Sequence, residues 1–166
     1  MMGLEKHMEG GPEHVKCVVI VTSDAREVQT DRSGNLIVHL LEGAGHEVVD
    51  YRIVRNDPVD IVKALETALG TSQAIIISGG TGVSKRDITV ETVEPLLEKK
   101  LGGFGEIFRH LSFSEIGSAA MLSRAIAGTI GSRAIFCLPG SEGAVRLAMM
   151  KLIVPELSRI VGELEK

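Results

Sequence analysis

Tryptophan is missing from this 166-residue chain, and one tyrosine and four phenylalanines hold its aromatic content to 3%. Few stacking platforms are on offer, and a formal net charge of −4, from 18 basic and 22 acidic residues, opposes a polyanion. Both shortages exclude nucleic acid as the principal partner. The only two cysteines, Cys17 and Cys137, each sit inside an aliphatic run, so neither a disulfide framework nor a thiolate metal pattern is present. None of the five histidines has metal-ligand spacing with another His or Cys. No run approaches the roughly 18 apolar residues that a membrane span requires, and no export signal is visible. The expectation is a cytoplasmic chain with no membrane partner, a loose tail over residues 1–14 and one domain over 15–166.

What is abundant is aliphatic. Hydrophobic residues make up 44% of the chain, and a core of Val, Ile, Leu and Ala suits a sheet covered on both faces. Strands are expected over 15–22, 46–54 and 74–78, with helices between them begun by Asp31 and by Asn56-Asp57-Pro58. That alternation implies right-handed crossovers and a parallel sheet. A further helix start falls at Thr89, read as a cap. Farther on, residues 101–105 read as a flexible turn, followed by helical pieces from Glu106 and over 114–124. Residues 125–131 and 134–138 read as paired strands, and 143–150 and 152–164 as two closing helices.

Ligands of such sheets collect at the carboxyl ends of strands. Four ends carry polar or glycine-rich turns: Thr22-Ser23-Asp24, Arg55-Asn56-Asp57, Ser78 to Asp87, and Leu138-Pro139-Gly140-Ser141. In the third, Gly79, Gly80 and Gly82 allow positive φ and close approach to a ligand, while Thr81, Ser84, Lys85 and Arg86 offer donors to phosphate-like oxygens. Asp87 breaks the anion-binding pattern and suits a metal ligand or catalytic group. The same residues also suit a plain tight turn between strand and helix. The spacing matches neither a Walker loop nor a dinucleotide fingerprint.

Four motifs carry a resemblance. Gly79-Gly80-Thr81-Gly82 with Arg86-Asp87-Ile88-Thr89 and Glu91 comes first, then Gly103 to Arg109, then Leu122-Ser123-Arg124-Ala125 with Gly128, and last Leu138-Pro139-Gly140-Ser141. In this order and spacing they resemble the MoaB/MogA family of molybdenum cofactor biosynthesis, over about residues 15–160. Phe113-Ser114-Glu115-Ile116-Gly117-Ser118 is closer to the MoaB branch. The resemblance implies a three-layer α/β/α sandwich with a mainly parallel sheet plus an antiparallel strand, assembled as a homotrimer or homohexamer. It also implies adenylyl transfer from Mg-ATP to molybdopterin, releasing pyrophosphate. The product then passes to a metal-insertion protein of the MoeA type, which adds molybdate or tungstate. A carrier that binds molybdopterin without catalysis is the alternative within the family.

Carried over residue by residue, the resemblance assigns the substrate to Ser78, Gly79, Gly80, Thr81, Gly82, Arg86, Thr89, Ser123, Arg124, Pro139, Gly140 and Ser141. The nucleotide falls to Ser23, Asp24, Gly79 and Gly80, and Mg²⁺ to Asp87, Asp57 and Glu91. Ser123 and Arg124 equally suit a helix cap, residues 139–141 a turn, and Glu91 a first-turn partner of a helix dipole. Ser112 and Ser114 read as surface or cap residues. Two departures stand out. Asn56 occupies a position that is acidic in adenylylating members, and a one-residue slip restores Asp57 to it; Glu142 replaces a proline.

Overall fold

The structure is a computed structural model that describes residues 10–166, so the first nine positions of the expected tail lie outside it. β1 (Lys16–Thr22), α1 (Arg32–Gly43), β2 (Glu47–Val54), α2 (Pro58–Leu69) and β3 (Ala74–Ser78) follow one another as the periodicity predicts. Asp31 caps α1 by accepting from the Gly34 N–H, and Asp57 caps α2 by accepting from Val59 and Asp60, with Pro58 opening the first turn. After the glycine loop come the short α3 (Thr89–Val93), β4 (Lys99–Lys100), α4 (Gly102–Ile116), β5 (Ile126–Ile130) and β6 (Arg133–Leu138). The chain closes with α5 (Glu142–Ala148) and α6 (Val154–Leu164).

The six-stranded sheet has the order β2-β1-β3-β6-β5-β4. β2, β1, β3 and β6 pair in parallel, and β5 runs against both β6 and β4. Side chains alternate across it into two cores. Cys17, Val19, Val21, Ile76 and Phe136 pack with Ile37 and Leu41 of α1, Phe108 of α4, Val145 of α5 and Leu157 of α6. Val18, Ile20, Ile75, Ile77 and Ile135 pack with Ile61, Ala64 and Leu65 of α2 and Val93 of α3. Helices thus cover both faces, giving the three-layer sandwich. Both cysteine thiols are buried, which pushes them up to about 12 and leaves them inert packing groups.

Several boundaries differ from expectation. Residues 102–105 open α4 instead of forming a turn, and Gly105 serves there for space, since a side chain would meet the Ala125 carbonyl at 2.7 Å. The helix expected over 114–124 is the end of α4 followed by a 3₁₀ segment, Gly117–Leu122. The two closing helices are continuous through a π turn, Met149–Ile153. A wider turn there suits Pro155, which lacks an N–H and crowds the carbonyl four residues back in a regular helix. Thr89 is not a cap: Ile88 holds that position and makes no side-chain capping bond.

Candidate functional site

Chain order reverses about β1, whose two neighbours in the sheet are β2 and β3, and a cleft of about 480 Å³ opens beyond the carboxyl ends of the parallel strands. Thr22 ends β1 at its rim and Ser23 follows into it, Asn56 follows β2, Gly79 to Gly82 and Asp87 follow β3, and Pro139, Gly140 and Ser141 follow β6. Residues 112–123 close the far side with Ser112, Ile116, Leu122 and Ser123. All four turns singled out in the sequence therefore reach one sheet edge.

The glycine loop is held by its carbonyls. Thr89 Oγ1 donates to Gly79 O at 2.8 Å and the Thr89 N–H to Gly80 O at 2.9 Å. Arg124 Nε donates to Thr81 O at 3.2 Å and Gly82 O at 2.9 Å. Four successive carbonyl dipoles are thereby tied to donors of the protein itself, which lowers their repulsion toward an anion in the cleft. Gly79 and Gly80 take φ of +101° and +65°, and a side chain on either would lie 2.5 Å from Thr22 O or 2.3 Å from Thr89 Oγ1. Gly82 differs from expectation, since its φ is not positive. Its constraint is space, because a side chain there would lie 2.7 Å from the Asp87 carboxylate.

Asp87 Oδ2 accepts from the Ser84 hydroxyl at 2.6 Å and the Ser84 N–H at 2.9 Å. The hydroxyl does most to hold this carboxyl below its usual range, against the opposing effect of burial; the Ser84 and Gly82 amides and Arg124 assist. The carboxylate is therefore charged and pre-oriented at the cleft wall. Arg124 and Glu91, expected at substrate and metal, instead meet each other in a short ion pair beneath the loop. Neither lines the cleft. Ser78 and Thr89 are fully buried behind the loop, with Ser78 Oγ donating to Pro139 O at 3.5 Å. Arg86 is exposed outside the cleft, where its charge lowers the Asp24 pKa as a minor contributor.

Across the cleft, the turn after β2 offers an amide and not a carboxylate. Asn56 lines the cleft, whereas Asp57 Oδ1 accepts from Val59 N at 2.9 Å and Asp60 N at 3.3 Å and does not line it. The Asn56 N–H and Nδ2 donate to Asp24 at 3.0 and 3.3 Å, bonds that hold the Asp24 carboxyl below its usual range. Asn56 Oδ1 is left buried without a partner, as is Ser123 Oγ. These two polar atoms in one cleft are open to a bond from water or a ligand. Among the described residues no cluster of three or more His, Cys, Asp or Glu forms a metal cage.

Ser23 Oγ accepts from the N–H groups of Ala25 and Arg26, and Ser141 Oγ caps α5 through the Ala144 N–H at 3.3 Å. Asp24 itself does not line the cleft. Glu142 faces Arg146 at 3.6 Å in the first turn of α5. The sequence did not disclose Arg26, which enters the cleft from the loop after β1, or the apolar wall of Phe108, Ile116 and Leu122. Helical spacing signalled the second but not which way it faces. Ser112, read as a surface or cap residue, is buried and lines the cleft.

Comparison with known proteins agrees with this geometry. Residues 18–159 match the family model described as "Probable molybdopterin binding domain". The chain is 48% identical to Molybdenum cofactor biosynthesis protein B of Bacillus cereus and 46% identical to that of Bacillus subtilis, covering 99% of each chain in both cases. A crystal structure of Molybdenum cofactor biosynthesis protein B superposes with a TM-score of 0.90 at 50% identity, over 93% of this chain and 98% of that one. A second, the tungsten cofactor synthesizing protein MoaB from Pyrococcus furiosus, gives 0.85 at 38%, over 93% and 99%. No helix among the described residues is long and apolar enough to cross a membrane. With the glycine loop, the Asp87 turn and the residue 138–141 turn on one edge of a matching sheet, the chain belongs to the MoaB/MogA family, in its MoaB branch.

Proposed function

We propose that this protein acts in molybdenum or tungsten cofactor biosynthesis as a molybdopterin adenylyltransferase, with the cleft as its active site. The observation that carries this reading is the glycine loop, whose four carbonyls are engaged elsewhere while Asp87 stands charged beside it. In the reaction, an oxygen of the molybdopterin phosphate bonds to the α-phosphorus of ATP. The bond from that phosphorus to the bridging oxygen breaks, and pyrophosphate leaves with the electron pair. No side chain is needed as a nucleophile. The loop holds and orients phosphate, and the Ser123 hydroxyl has a free proton to donate to substrate.

Mg²⁺ takes few protein oxygens when substrate phosphates complete its shell, so Asp87 with the unpartnered Asn56 Oδ1 fits it without a cage of carboxylates. Bound there, it would neutralise charge on the phosphate oxygens. Incubation with molybdopterin, Mg-ATP and pyrophosphatase is expected to release inorganic phosphate; a flat trace with intact substrate refutes adenylyl transfer. Asn56 favours a second reading, a molybdopterin carrier, because an amide binds a hard cation less strongly than a carboxylate. Molybdopterin binding indifferent to both Mg²⁺ and ATP would select the carrier. A homotrimer or homohexamer that hands its product to a metal-insertion protein of the MoeA type completes the proposal.

A further inference from the structure

Of the arginines near the glycine loop, the motifs point to Arg86 and Arg124, and neither offers its charge to the cleft. Arg124 is clamped under the loop carbonyls and against Glu91, and Arg86 lies outside. Among the described residues, Arg26 is the one Lys, Arg or His side chain that lines the cleft. It stands on the loop between β1 and α1, where nothing in the sequence marks it out.

Its surroundings hold it in place and leave much of it unused. Both side-chain hydrogen bonds of Arg26 run through Nη1, to Gly140 O at 3.4 Å and to Asp31 Oδ1 at 3.5 Å. Asp31 is 0% exposed and is itself fixed by Tyr51 Oη at 2.6 Å and the Gly34 N–H at 3.0 Å. The anchor is thus a buried carboxylate tied to β2 and α1, not a mobile surface acid. Nε and Nη2 keep their hydrogens, and the side chain is 42% exposed. A planar guanidinium held by one nitrogen and open at the others is suited to two parallel bonds to a phosphate. The location also fits, because Gly140, which Arg26 touches, packs against Gly79, where a side chain at 140 would lie 3.3 Å from Gly79 Cα. The cation therefore belongs to the Gly79 end of the loop, and the carboxylate of Asp87 to the Gly82 end.

We infer that Arg26 is the anion receptor of the cleft, forking Nε and Nη2 onto a phosphate of the bound substrate while Asp31, through Nη1, acts as its positioning residue. The inference rests on the proposed reading only for which phosphate compound binds. Calorimetric titration of the full chain with molybdopterin, and separately with inorganic pyrophosphate, tests it. Arg26→Gln is expected to weaken both by about 10- to 100-fold. It should also flatten the dependence of affinity on salt, a readout that a purely structural role does not move. Arg26→Lys, a point charge without the fork, should recover part of the affinity. Arg159→Gln, an equal loss of charge on α6 outside the cleft, should stay within about twofold, since a distant surface charge is screened. Unchanged affinity and salt slope in Arg26→Gln overturn the inference, as does failure of the wild type to bind either probe. Absent adenylyl transfer with binding still dependent on Arg26 refutes the enzyme reading and leaves the receptor standing.

Discussion

Of the aspartates at the carboxyl edge of the sheet, the fold uses those after β2 and β3 in opposite ways. After β2, Asp57 is followed at once by Pro58 and a twelve-residue helix, whose free N–H groups claim its carboxylate. The cleft receives Asn56 instead. After β3, Asp87 precedes a helix of five residues that it does not cap; Ser84 orients it and it faces the cleft. Of these two, only the aspartate that the following helix does not take is left to the cleft.

The sharpest way to break this contrast is Asp87→Ala. In the coupled pyrophosphatase assay it should lower turnover by about 100-fold or more while molybdopterin still binds, the scale on which charge-stabilising groups act. Normal turnover would refute the role given to this carboxylate. Next is Arg124→Ala, which frees the carbonyls of Thr81 and Gly82. Turnover should fall by about 10- to 100-fold from lost positioning, with Glu91→Gln costing less because the carbonyl bonds survive.

Asn56→Asp makes the two turns more alike. It places a second carboxylate against Asp24, so thermal unfolding in a chelator should come at a lower temperature than for the parent, and Mg²⁺ should reverse the loss. Absence of Mg²⁺ rescue would mean that the metal does not reach this side. Asp57→Ala should cost about 1 kcal/mol in denaturant unfolding, the usual worth of a cap, and leave turnover close to normal. The smallest effect is expected of Ser84→Ala. Losing the hydroxyl that holds the Asp87 pKa down returns that pKa toward the ordinary range, so the acid limb of the pH–rate profile should move to higher pH.

Much of this molecule is legible locally. β1 and β3 show as aliphatic runs and β2 as an alternating one, and the caps Asp31, Asp57 and Ser141 act on N–H groups two or three residues away. Less legible is the stretch from 99 to 131, where long-range neighbours set the conformation. Gly105 looks like a helix breaker until the Ala125 carbonyl explains it, and β4 has only two residues, paired with Gly128 and Thr129. Of the site, the sequence disclosed the glycine loop, Asp87 and the 139–141 turn, but it could not distinguish a side chain facing the cleft from one supporting the loop. Arg124, Thr89 and Ser78 support; Ser123, Ser112 and Arg26 face inward.

What the sequence determined by itself is the scarcity of aromatics and the net negative charge, the order of strands and helices through β3, and the four polar turns, because alternation, capping and glycine act over a few residues. Only the tertiary structure decided that Asn56 faces the cleft in place of Asp57, that Arg124 is a clamp, and that Arg26 is the cation lining the cleft. Those outcomes depend on which distant backbone groups reach each side chain, and that competition is settled only when the sheet brings its strand ends together.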